Sequence, residues 1–149
     1  MPADIDAMLT RDEEEWTLLA TLPDDADDRV VHAPGSPPWN ARDVYAHLAR
    51  WISHSTDAFE ARLAGREPPP SPPGSDDEIN ARWQAADSAL SFAQARERAH
   101  AACDRRMAAV RAAPADGWDN MLRATAHADG YQHYESHRRY IETAGNEGG

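Results

Sequence analysis

Apolar residues recur near a period of 3.6 along most of the chain and almost nowhere alternate as a strand requires. Ile5, Met8, Leu9, Trp16, Leu19 and Leu22 predict a first helix over residues 4–22, with Asp4 as its N-cap and residues 11–15 on its solvated face. Pro23 and the acidic cluster at 24–28 end it. Val30 and Val31 are a short β-like pair, and Ala-Pro-Gly-Ser-Pro-Pro after them reads as loop; one extended piece does not predict a sheet. Asn40, with Asp43 three residues on, opens a second helix that runs to about Gly65. Its inner stripe is Val44, His47, Leu48, Trp51, Ile52, Ser55, Phe59 and Leu63.

Five prolines within residues 67–74 exclude regular structure and predict a stiff crossover. Ser75 with Glu78 forms a capping box for a helix over 76–86, anchored by Ile79 and Trp83. Asp87 and Ser88 interrupt, and Ser91 with Gln94 opens a longer helix to Ala113. The buried stripe of that helix is Phe92, Ala95, Ala99, Ala102, Cys103, Met107 and Val110, small enough for a neighbour to approach closely. Residues 114–120 read as loop, and a last helix is expected over 120–143, before a frayed tail. No repeats appear. Four main helices, the third interrupted, predict an all-α bundle in one domain spanning 1–149.

The net charge of −11 narrows the function, because such a surface repels phosphate backbones and disfavours nucleic acid. The single cysteine, Cys103, excludes an internal disulfide and a cysteine-based metal cluster; buried packing suits it better than a nucleophile's role. The longest apolar runs fall far short of a membrane span, so a cytoplasmic domain without membrane contact is expected.

Chemistry gathers on three histidines. His133 and His137 stand four apart, on one helix face, a spacing that lets two imidazoles reach one ion. His47 falls inside the apolar stripe of the second helix, where each ring nitrogen needs a hydrogen bond or a metal. Two readings stay open on spacing alone: three imidazoles share one divalent cation with open coordination positions, or His47 is a hydrogen-bonded core residue and the pair lies on the surface. Gly130 in mid-helix implies a close neighbour or space for a ligand. Asp43 lies one turn before His47 and Asp129 one turn before His133, so either is a candidate acceptor for an imidazole N–H or a candidate general base; an N-terminal helix charge is the preferred reading of Asp43. Trp51, Tyr45, Tyr131 and Tyr134 are candidate pocket walls, although Trp51 suits the core. Glu135 should face away from the pair, and His32, His100 and His127 have no supporting pattern.

The segment Trp39-Asn-Ala-Arg-Asp-Val-Tyr-Ala-His47-Leu-Ala-Arg-Trp51 resembles the W-x-x-x-D-x-x-x-H-L-x-x-W segment of the DinB/YfiT-like superfamily of metalloenzymes. The closing Tyr131-Gln-His133-Tyr-Glu-Ser-His137-Arg-Arg-Tyr-Ile141 resembles its final H-x-x-x-H helix. Asp77-Glu-Ile-Asn80-Ala, followed by a long helix, resembles the ClbS/DfsB-like branch, which includes a colibactin self-resistance hydrolase. The resemblance implies a four-helix bundle of up-down-down-up order and a divalent metal, zinc or nickel, on His47, His133 and His137. It also places Asn80 toward the site.

Family members transfer low-molecular-weight thiols such as mycothiol or bacillithiol, or hydrolyse small molecules. The expected function is therefore that of a metal-dependent hydrolase or thiol S-transferase acting on a small electrophilic molecule, with metal-bound water or a thiol as nucleophile. The alternative is a metal-independent, ClbS-like resistance or binding protein that sequesters or opens a reactive metabolite. Trp and Tyr near the termini leave room for a homodimer.

Overall fold

The computed structural model describes residues 1–21, 30–31 and 39–147. It is mostly helical: α1 (Ala3–Ala20), β1 (Val30–Val31), β2 (Trp39–Asn40), α2 (Ala41–Leu63), α3 (Asp76–Ala86), α4 (Phe92–Arg111), α5 (Asn120–His127) and α6 (Tyr131–Glu147). The all-α class expected from the periodicity is what the described residues adopt. No described helix is long and apolar enough to cross a membrane.

The start signals worked where a side chain could reach back. Asn40, Ser75 and Ser91 each form a full capping box, with Asp43, Glu78 and Gln94 respectively. α1 differs: its N-cap is Pro2, with no side-chain bond, and Asp4 lies inside the first turn. Leu22, the acidic cluster and the Ala-Pro-Gly-Ser-Pro-Pro stretch lie outside the described residues. The absence of a sheet is corrected. Val30 and Val31 pair antiparallel with Asn40 and Trp39, so the residues just before α2 supply the second strand.

α2 packs most extensively on α4, and also on α3 and α5; Ala95, Ala99, Ala102 and Cys103 of α4 are buried in the core. α1 lies mainly along α6. Five expected core residues are less buried than their stripes implied: Leu63 is exposed in the last turn of α2, and His47, Trp51, Trp83 and Phe92 are half-buried.

Two larger corrections bear on the site. The expected solvated face of α1 holds Asp12 and Glu15, both buried. Asp12 pairs with buried Arg106 of α4, and Glu15 pairs with Arg138 of α6 at 3.1 Å. The expected single last helix is also broken. Ala128 is extended and Asp129 adopts φ +57°, a left-handed conformation that aspartate tolerates better than most residues. Gly130 therefore precedes α6 rather than lying in mid-helix. A Cβ there would stand 2.7 Å from Arg106 Nη2 and 2.9 Å from Asp12 Oδ1, so close approach of this pair, not ligand space, explains the glycine. Asp12 Oδ1 accepts from the Tyr131 N–H at 2.7 Å, and Arg106 donates to the Ala126 carbonyl. α6 thus receives its N-terminal cap from α1, a helix distant in sequence.

Candidate metal centre

His47 projects from the second turn of α2, and His133 and His137 from the first two turns of α6. Nε2 of His133 lies 3.1 Å from Nε2 of His47 and 2.9 Å from Nε2 of His137. One nitrogen from each ring falls within 4.8 Å of the others. An imidazole Nε2 carries either one proton or one in-plane lone pair. His133 Nε2 can therefore make a hydrogen bond with only one of its two neighbours, and the other contact opposes like groups. A cation among the three removes this conflict, since nitrogens sharing one such ion at about 2.0–2.1 Å stand roughly 3 Å apart.

The electrostatics suit ligation by neutral rings. Burial, with the charge of His133, lowers the His47 pKa to about 3. Burial, with His133 and His47 beside it, also holds His137 well below the usual histidine value. Both rings are neutral near neutral pH, as metal-binding histidines must be. Nδ1 of His133 lies 3.2 Å from Asp129 Oδ1, off the line of a well-aligned hydrogen bond. Burial pushes the Asp129 pKa up, but His133 and the Ser55 hydroxyl outweigh it and keep the carboxylate below its usual value. Ser55 Oγ donates to Asp129 Oδ2, which ties the break before α6 to α2. The left-handed turn at Asp129 thus directs its carboxylate at the histidine one helical turn on.

The three rings open on a cleft of about 510 Å³. Trp39 packs on His47 with ring centroids 4.8 Å apart and stacks on His137 at 6.4 Å. Trp51 and Asn80 also line the cleft, and Asn80 Oδ1 accepts from Trp51 Nε1 at 2.8 Å. Asp76, Asp77, Ser136 and Tyr140 complete the lining with Asp129.

Of the residues singled out in the sequence, Asp129 and Asn80 therefore reach the cleft with the histidines. Asp43 does not line it: its carboxylate accepts from the Asn40 N–H, Arg42 and Gln84, in keeping with the helix-start reading. Tyr45 is buried, with its hydroxyl bonded to the Leu19 carbonyl at 2.6 Å and burial raising its pKa to about 12. Tyr134 is core beside Trp16, and Tyr131 lies under Arg11. Glu135 pairs with Arg139. His100 accepts from Trp16 Nε1, His127 is exposed, and His32 lies outside the described residues. Cys103 is buried and its thiol pushed up to about 12 by desolvation, which suits packing. Sequence reasoning assigned no site role to Trp39, Ser55, Asp76, Asp77, Ser136 or Tyr140. For Ser136 and Tyr140 a signal existed, since they lie three residues after His133 and His137.

Over residues 10–143 the chain matches the family model described as the mycothiol maleylpyruvate isomerase N-terminal domain. No curated protein and no solved structure matches it.

Proposed function

The chain belongs to the mycothiol maleylpyruvate isomerase N-terminal domain family, a DinB-like family, and on that premise we propose that it is a metal-dependent enzyme that brings a low-molecular-weight thiol to a small electrophilic molecule. The observation that carries the metal reading is the convergence of three Nε2 atoms that cannot satisfy one another. The family's description, which names mycothiol, supports the thiol. Zinc and nickel both suit an all-imidazole donor set. When bound, such an ion supplies Lewis acidity and lowers the pKa of a thiol or water brought to it.

In this reading the protein's own groups do the positioning. His47, His133 and His137 hold the ion, and Asp129 orients the His133 ring while Ser55 fixes Asp129. Trp39 packs against two of the ligand rings, His47 and His137. The cleft leaves one side open for a ligand of small-molecule size. We also read α1, α2, α4 and α6 as the up-down-down-up bundle of DinB-like proteins, with the Pro-rich stretch and α3 forming the crossover.

The hydrolase reading keeps the same residues and puts water in the thiol's place. A metal-independent, ClbS/DfsB-like binding protein is less favoured, because it leaves the ring nitrogens without a common partner. Turnover of a small electrophile such as monobromobimane, with and without mycothiol or bacillithiol, tests the thiol role. A metal-dependent acceleration beyond the uncatalysed thiol reaction supports it, and no rate difference removes it. Full activity after exhaustive chelation would instead favour the metal-independent protein.

A further inference from the structure

The walls of the cleft carry charge of only one sign. Asp76, Asp77 and Asp129 line it, and among the described lining residues there is neither arginine nor lysine. The chain contains no lysine at all, so no long ammonium arm can swing in. Of the arginines on α2, α3 and α6, Arg62 stands in the last turn of α2 and lines a different cleft, and the others are engaged elsewhere. Arg42 binds Asp43 and the Ser88 and Leu90 carbonyls, and Arg50 is paired with Asp87. Arg82 donates to the Pro73 carbonyl, Arg138 binds Glu15 and Glu142, and Arg139 binds Glu135. Residues 22–29 and 32–38, outside the described part, hold four aspartates and one arginine and so add no net positive charge.

Recognition of a carboxylate or phosphate normally uses an arginine fork, a lysine or a cluster of free backbone N–H groups. Here Asp76 and Asp77 occupy the first turn of α3, beside the opening, where their charges offset the helix dipole that would otherwise draw an anion. Trp51 and Tyr140 add aromatic surface, which suits an ammonium or a polyhydroxyl group.

We infer that the cleft selects by charge: it takes small thiols and electrophiles whose groups beside the reacting centre are amines or hydroxyls, and turns away those bearing a carboxylate or phosphate there. The inference rests on the proposed metal and thiol reading of the three histidines. It separates this chain's substrates from the dicarboxylate class that the family's descriptive name suggests.

The test uses the full chain loaded with cobalt(II), titrated with cysteamine, 2-mercaptoethanol and 3-mercaptopropionate while the thiolate-to-cobalt charge-transfer band is followed. The ion attracts the sulfur of all three, so they differ in tail charge and in intrinsic thiol acidity. The ratio of wild-type to Asp76→Asn/Asp77→Asn affinity for each thiol cancels the second difference. Helix content and cobalt affinity of the variant confirm that it is folded and loaded.

The expected result is that the variant gains affinity for 3-mercaptopropionate and loses it for cysteamine, shifting their ratio about tenfold at low ionic strength and less at about 0.5 M salt. Mercaptoethanol should be nearly unmoved. Equal ratios for all three thiols, or tightest wild-type binding of the anionic thiol with no change in the variant, would overturn the charge selection and leave the thiol reading standing. Bound cobalt with no band from any thiol would overturn the thiol reading and this inference with it.

Discussion

Replacing Asp12 with alanine removes the acceptor at the point where three segments meet. Asp12 is fully buried, and its two oxygens take the Arg106 guanidinium and the Tyr131 N–H. Arg106 is itself 3 % exposed. Burial works against its charge, and Asp12 more than offsets that, holding the guanidinium above its ordinary value. The substitution leaves this cation buried without a counter-charge, a change that costs about 3–5 kcal/mol. It also uncaps α6, worth roughly 1 kcal/mol, though the two losses overlap.

A destabilisation of about 4 kcal/mol is a third or more of a typical domain's stability. With a urea m-value of about 2 kcal/mol/M, the unfolding midpoint of the metal-free protein should fall by about 2 M. The double variant Asp12→Leu/Arg106→Met carries no buried charge and leaves only the Tyr131 N–H and the Ala126 carbonyl to be satisfied. It should recover about half of the loss. Urea titration followed by circular dichroism reads both. A midpoint shift under about 0.5 M for Asp12→Ala, or a double variant less stable than Asp12→Ala, would mean that the buried pair does not hold the fold in this way.

Other outcomes follow from the same contacts. Gly130→Ala should destabilise the fold by about 1–3 kcal/mol, because the new Cβ meets Arg106 and Asp12 below 3 Å; a neutral result in the same urea assay would mean that the pair gives way freely. Asp129→Asn should weaken metal affinity about 10–100-fold, measured by competition with a chromophoric chelator, and an unchanged affinity would remove its role in orienting His133. The metal-free protein should lose stability as pH falls from about 6.5 toward 3. His47 and His137 are neutral when folded but protonate near 6.5 when unfolded, so the unfolded chain binds more protons in that window. In a His47→Leu variant the slope over that window should be shallower, and an identical slope would contradict the burial of a neutral ring.

The parts of this molecule legible in the sequence are those set by local spacing. Two capping boxes, the Asn40 cap, the Pro-rich interruption and the placement of His47 on an apolar stripe all depend on residues within about four positions of one another. The i, i+4 pair at His133 and His137 belongs to the same class; His47 is a candidate third partner from its stripe, and the resemblance selects that reading over a hydrogen-bonded core histidine. The features not legible there are polar and long-range. Asp12 lies four residues from both Met8 and Trp16, on the buried stripe of α1, and Arg106 falls between Cys103 and Val110 in the same way. Read one helix at a time, a charged residue looks solvated; its burial depends on a partner 94 residues away. The break at Asp129 was hidden for the same reason, because the cap that permits it comes from α1. The pairing of Val30 and Val31 with Asn40 and Trp39 needed a partner that sequence alone assigned to the approach to a helix.

The proposed function rests on His47, His133 and His137 holding one divalent ion. Elemental analysis of the native protein beside His133→Ala, each normalised to protein concentration, tests it most directly. About one equivalent of zinc or nickel per native chain is predicted, with little retained by the variant, in which the middle nitrogen of the three is gone. Equal metal content in both proteins, or no metal in the native chain and no uptake when zinc or nickel is added, would contradict the account.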